Sequence, residues 1–161
     1  MSAPPPPPAP LPPGTLAPEF RLPRTPDQTL ALGSLRGRPV VLAFYPGDDT
    51  LVCTKQLCSY QDDLGMLTEL GAVLWGISAQ DLDSHERFAG KRGLAFPLLA
   101  DTDKAVHRLY GTAGRLGLPR RAVFVVDAQG RLAWQHVSTL GLTNQDADTI
   151  SAVLAGLPSP R

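Results

Sequence analysis

The chain has 161 residues, 43% hydrophobic and 19% charged, with 15 basic side chains set against 15 acidic ones. That composition suits a single globular core, and a net charge of zero without a long basic run lacks the electrostatic footprint of a nucleic-acid or membrane-surface binder. No apolar run approaches the ~18 residues of a spanning helix, and the Pro-rich N-terminus lacks the basic-then-apolar pattern of a secretory signal, so a reducing cytoplasm is the expected home.

Residues 2–13 are almost entirely Pro and Ala. Such a stretch buries too little side chain to offset ordering entropy, so 1–13 reads as an extended tail, with a PxxP ligand as the minor alternative, and 14–161 as one domain. An extended stretch at 17–22 leads to a turn at Pro26-Asp27-Gln28, and Ser34-Leu35-Arg36-Gly37 reads as a brief helical turn. The apolar, β-branched run 40–45 is a buried strand. Residues 50–70 hold no Pro and one Gly, which reads as a helix. A strand at 72–78 follows, then a helix opening near Asp83-Ser84 and closing at 90–93, a short strand at 96–99 and a helix at 104–110. Two apolar runs, 122–126 and 132–137, flank Asp127-Ala128-Gln129-Gly130 as a hairpin, and 143–154 is a C-terminal helix ended by Gly156 and Pro158. Strands alternating with helices, then a late hairpin, give an α/β three-layer sandwich around a mixed sheet.

The only two cysteines, Cys53 and Cys58, fall just after the predicted strand-to-helix turn. A cysteine in the first turn of a helix faces unpaired backbone N–H groups and the positive end of the macrodipole, which favour the reactive thiolate. No glycine-rich phosphate cradle is present, so no nucleotide or other cofactor is expected. His85, His107 and His136 are scattered singly and complete no zinc set with the cysteines. Each reads as a surface or satisfied core residue. Asp48 and Asp49 read as a turn feeding a helix rather than as a cation site.

Pro46, Thr50 and Cys53 form a Pro-x3-Thr-x2-Cys pattern that resembles the active-site signature of the peroxiredoxins, thiol peroxidases built on a thioredoxin-like fold. Cys58, five residues on, resembles the arrangement of the bacterioferritin comigratory protein or Q-type branch, in which both redox cysteines share one helix. Ala17-Pro18-Glu19-Phe20, Trp75-Gly76-Ile77-Ser78, Phe96-Pro97-Leu98-Leu99-Ala100-Asp101 and Arg121-x2-Phe124-Val125-Val126-Asp127 look like further landmarks in the family's order. The resemblance covers residues 14–157. It implies that Cys53 is the peroxidatic residue, reducing hydrogen peroxide or an organic hydroperoxide, and that Cys58 resolves the product as an intramolecular disulfide. It also implies a site completed by Thr50, Pro46 and Arg121, and thioredoxin or a similar dithiol as reductant. A monomer is expected, with a dimer as the alternative.

The chemistry accounts for these residue types. Sulfur attacks one oxygen of the O–O bond and the other leaves with negative charge, so the site needs a thiolate, donors aimed at the leaving oxygen, and little water. The Thr50 hydroxyl can accept from one partner while donating to another, and Pro46 has no N–H to compete for water. Arg121 offers a permanently charged, planar fork; a strand register slipped by one would put Arg120 there instead. Residues five apart in a regular helix have Cα atoms ~8.6 Å apart, beyond the ~7 Å a disulfide tolerates, so the implied Cys53 to Cys58 bond requires the helix to unwind.

The branch often carries Pro-Gly where this chain has Leu51-Val52. Two rival readings remain at this level. A thioredoxin-like protein-disulfide oxidoreductase would share the fold but usually shows C-x-x-C rather than C-x4-C, although Pro119 stands near the position of a cis-proline. A non-catalytic redox switch would form the same disulfide and consume peroxide slowly.

Overall fold

The computed structural model describes residues 11–12, 14–48, 51–113, 120–137 and 147–157, and only the backbone of residues 51–53 and 147–148. The rest of the 1–13 tail, Asp49, Thr50, Pro119, residues 143–146 and Pro158 lie outside the described residues.

A hairpin of β1 (Arg21–Thr25) and β2 (Gln28–Ala31) precedes a 3-10 turn at Leu32–Leu35. The central sheet is built from β3 (Val40–Phe44), β4 (Val73–Ser78), β5 (Leu98–Ala100), β6 (Ala122–Val126) and β7 (Leu132–Val137), in the order β5-β4-β3-β6-β7. β3 lies parallel to β4 and antiparallel to β6, so the sheet changes from parallel to antiparallel at its middle strand. The helices are α1 (Leu51–Asp62), α2 (Leu64–Glu69), α3 (Leu82–Arg92), α4 (Ala105–Leu109) and α5 (Ala147–Ala155).

Alternation along β3 and β6 divides the interior into two cores, because successive side chains in a strand point to opposite faces. Val41, Ala43, Tyr45, Val123 and Val125 meet Leu57 and Tyr60 of α1, Leu67 of α2, Phe88 of α3 and Ile150 and Leu154 of α5. On the other face Val40, Leu42, Phe44, Phe124 and Val126 meet Phe20, Leu22, Leu32, Val106 and Tyr110. With both faces covered, β3 has no polar position, which is why it reads as one continuous apolar run.

The sheet strands and the late hairpin fall where the sequence predicts, within a residue or two. The first extended segment, expected over 17–22, forms its strand at 21–25, and three further elements differ. The helix expected over 50–70 breaks at Asp63, whose ψ of 13° leaves the helical range. Two adjacent aspartates followed by Gly65 are poor helix formers, and their summed propensity costs accumulate at that point. The third helix, expected to open near Asp83-Ser84, begins at Leu82, because Asp81 is the cap and accepts from Ser84 N at 2.9 Å. Gly93, with φ 66°, ends it in the left-handed conformation that glycine adopts without a Cβ penalty. Finally, the short helical turn lies at 32–35 rather than 34–37, because residues 28–31 form a second hairpin strand just before it.

A buried aspartate fastens α4 beyond the end of β5. Asp101, 1% exposed, accepts from Val106 N at 3.2 Å and from His107 N at 2.8 Å, and its Oδ2 takes a further hydrogen bond from His107 Nδ1 at 2.6 Å. Burial raises its carboxyl pKa, but these donors and the His107 charge outweigh it and hold the group below the usual carboxylate value. The carboxylate is thus favoured in the folded state. Its contribution is complete above the unfolded value of ~3.9 and is lost as pH falls through the lowered folded value. Asp101→Asn is expected to lower unfolding free energy by about 3 kcal/mol at neutral pH, with the gap to wild type closing in strong acid. Urea denaturation across pH measures it.

Candidate active site

Strand β3 runs into the interior and continues as Tyr45, whose N–H still bonds Ile77 O at 3.0 Å. The chain then turns through Pro46, Gly47 and Asp48 toward α1. Cys53 is the third residue of α1, in the turn whose amides have no partner inside the helix. Cys58 lies in the same helix as a half-buried free thiol. Thr50 lies outside the described residues.

Arg121 stands immediately before β6, beneath α1, and is 3% exposed. Its Nη1 donates to Oε1 of Gln56, and Gln56 Nε2 donates onward to the Tyr60 hydroxyl at 2.9 Å. Gln56 and Tyr60 are themselves fully buried. Positions 53 and 56 share a helix face, so the Gln56 contact holds the guanidinium on the face of α1 that carries position 53. Arg120, by contrast, is half-buried, and its N–H bonds Thr112 O at 2.7 Å. Of the two arginines considered from the sequence, Arg121 is the one the fold places against α1.

Pro46 is half-buried, and its carbonyl accepts from Gln80 Nε2 at 3.4 Å. Asp48 N donates to Gln80 Oε1 at 3.2 Å. The Asp48 side chain, 4% exposed, takes hydrogen bonds from Tyr45 at 2.7 Å, from Ser84 at 2.7 Å and from His85 Nδ1 at 2.7 Å. Burial raises the Asp48 carboxyl, but hydrogen bonds from His85, Tyr45 and Ser84, with the His85 charge, outweigh it and leave the group below its ordinary value. Gly76 allows this corner to close: a Cβ there would lie 2.7 Å from Leu98 Cδ2 and 3.4 Å from Tyr45 Cε1. Past the site, Gln61 Oε1 accepts from Ala95 N at 2.6 Å and ties the end of α1 to the segment between α3 and β5.

Pro46, Cys53, Cys58 and Arg121 therefore lie on one loop, one helix and the strand start beneath them. Sequence reading missed Gln56 and the Asp48 network. Gln56 carries a usable signal, a polar residue one turn after Cys53 and directly before the apolar Leu57. Asp48 and His85 carry none, since each has a cheaper local explanation.

The chain matches the AhpC/TSA family over residues 13–135. It is 40% identical over 119 residues to the chloroplastic peroxiredoxin Q of Triticum aestivum, an alignment covering 73% of this chain and 55% of the wheat protein. It is 36% identical over 137 residues to the bcp protein of Coxiella burnetii, covering 80% of this chain and 91% of that one. The crystal structure of the peroxidoxin BcpB from Mycobacterium tuberculosis superposes with a TM-score of 0.80 at 30% identity, over 91% of this chain and 98% of that one. The chain spans about half the length of the plant relatives it matches.

Gln56→Leu deprives a buried guanidinium of an acceptor and is expected to cost about 2 kcal/mol of stability, whereas Gln56→Glu retains the acceptor and loses less. Chemical denaturation of the two variants tests the contact.

Proposed function

The chain belongs to the AhpC/TSA family, the peroxiredoxins, and on that premise we propose that it is a thiol-dependent peroxidase acting on hydrogen peroxide and organic hydroperoxides. The observation that carries the reading is the placement of Cys53 in the first turn of α1, with the buried Arg121 held to the same helix by Gln56 one turn later.

In this reaction the Cys53 thiolate attacks one peroxide oxygen and the O–O bond breaks. Sulfur is oxidised by two electrons, and the other oxygen leaves as hydroxide or alkoxide and takes up a proton. The helix N-terminus favours the thiolate before attack. The Arg121 fork stabilises negative charge as it moves from sulfur to the leaving oxygen, while the Thr50 hydroxyl bridges sulfur and substrate and Pro46 shields the pocket from water. Cys53 is left as a sulfenic acid. The Cys58 thiol then displaces its oxygen as water, forming an intramolecular disulfide before deeper oxidation can occur. A dithiol of the thioredoxin type restores both thiols by exchange, as suits a reducing cytoplasm.

Both cysteines lie within α1, so the regular-helix separation of ~8.6 Å applies and resolution requires the helix to open. Cys53→Ser is expected to lower the peroxide rate in stopped-flow by more than about a hundredfold. Retention of a tenth of wild-type activity would assign the chemistry elsewhere. Cys58→Ser should hold Cys53 as a sulfenic acid that over-oxidises, visible by intact-mass spectrometry.

Peroxide-treated wild type should lose amide-exchange protection across residues 51–61 and regain it on reduction. A Cys53 to Cys58 disulfide with undiminished protection there would remove the unwinding step.

A further inference from the structure

Asp48 and His85 are separated by 37 residues, yet they form a nearly solvent-free contact between the loop that enters α1 and the first turn of α3. His85 Nδ1 lies 2.7 Å from Asp48 Oδ2 and Nε2 lies 3.1 Å from Leu99 O. The two ring nitrogens thus face a carboxylate of the loop and a carbonyl of β5, and the ring bridges the redox loop to β5. The loop is gripped at further points: Ser84 and Tyr45 hold the carboxylate, and Gln80 holds the backbone on either side of Gly47. Except for Tyr45, these groups come from the β4–α3 connection or from α3 itself, rigid ground outside the helix that must open.

We infer that the Asp48 to His85 contact is a clamp that sets the loop at 46–48, and through it the first turn of α1, in the position from which Cys53 reacts. This makes His85 a positioning residue for the peroxide step. It acts through Asp48. The inference rests on the assignment of Cys53 as the site of attack. A loop that leaves the clamp displaces the sulfur relative to Arg121, and displacements of ~1 Å in a reacting pair cost orders of magnitude in rate.

Asparagine and glutamine separate this role from simple core filling. The amide nitrogen of Asn branches from Cγ, as Nδ1 does, and can still donate to Asp48; that of Gln lies one atom further out, like Nε2, and reaches toward Leu99 instead. The second-order rate constant with hydrogen peroxide is measured by stopped-flow for the pre-reduced full chain, alongside circular dichroism. His85→Gln and Asp48→Asn are each expected to slow the reaction about tenfold or more, His85→Asn to stay within about threefold of wild type, and the double variant His85→Gln/Asp48→Asn to be no slower than the worse single.

Equal losses for Asn and Gln, additive losses in the double variant, or unchanged rates in folded variants overturn the clamp alone. Should His85→Gln fail to fold, the Asp48→Asn rate decides: wild-type speed overturns the clamp, and the expected slowing supports it. A wild-type chain that consumes no peroxide, or a Cys53→Ser variant that still does, overturns the site assignment and the clamp with it.

Discussion

An ion taken out of water needs its donors met, because the effective penalty is several kcal/mol even after the protein relaxes around it. Arg121 imposes that requirement on the middle of this molecule. Gln56 answers it with an uncharged acceptor. A carboxylate at that position would meet the same donor while cancelling much of the positive field; an amide meets the donor and leaves the charge in place. The same amide then passes its own N–H to Tyr60, so one helix turn after Cys53 is devoted to polar groups sealed inside an apolar layer. Such a network is rigid as long as every member is satisfied, and the proposed stabilisation of charge by Arg121 would require that rigidity.

The sheet explains how these groups meet. β3 pairs with β4 on one edge and β6 on the other, in register from Val40↔Val73 and Val40↔Val126 to Phe44↔Ile77 and Phe44↔Ala122. The end of β3 and the start of β6 therefore coincide, and residues adjoining that level, Tyr45 and Arg121, emerge next to one another although they are far apart in the chain. Parallel pairing with β4 sends the β4–α3 connection out at the same end, which is how Gln80, Ser84 and His85 come to face the loop at 46–48.

Much of this was legible in the sequence because it depends on local pattern. β3 reads as a strand from apolar residues alone, and β6 and β7 flank a turn whose Asp127 accepts from Gln129 N and Arg131 N, as a D-x-x-G sequence suggests. What stayed hidden depends on distance along the chain. The Arg121 to Gln56 bond spans 65 residues and the His85 to Asp48 contact 37. His85 read as a surface or satisfied core residue, and it is a satisfied core residue; the sequence did not say which acceptors satisfy it. Helix ends differ where the cap lies just upstream of the expected opening, as at Asp81, and where weak helix formers cluster, as at Asp62, Asp63 and Gly65.

Gln61, holding Ala95 N, marks the far end of the same helix that Asp48 marks at the near end. A segment pinned at residues 48 and 61 that loses its helical hydrogen bonds becomes a loop with fixed ends, not a free chain. Its ends remain at their native separation, so re-forming the helix requires no search through space. Closing a loop of about ten residues takes roughly 10–100 ns, and helix–coil relaxation about a microsecond or less. Next to thiol exchange between two proteins, such recoiling is effectively instantaneous. On the proposed disulfide cycle, readiness for a new turnover would then be timed by the arrival of the reductant, not by the refolding of the helix.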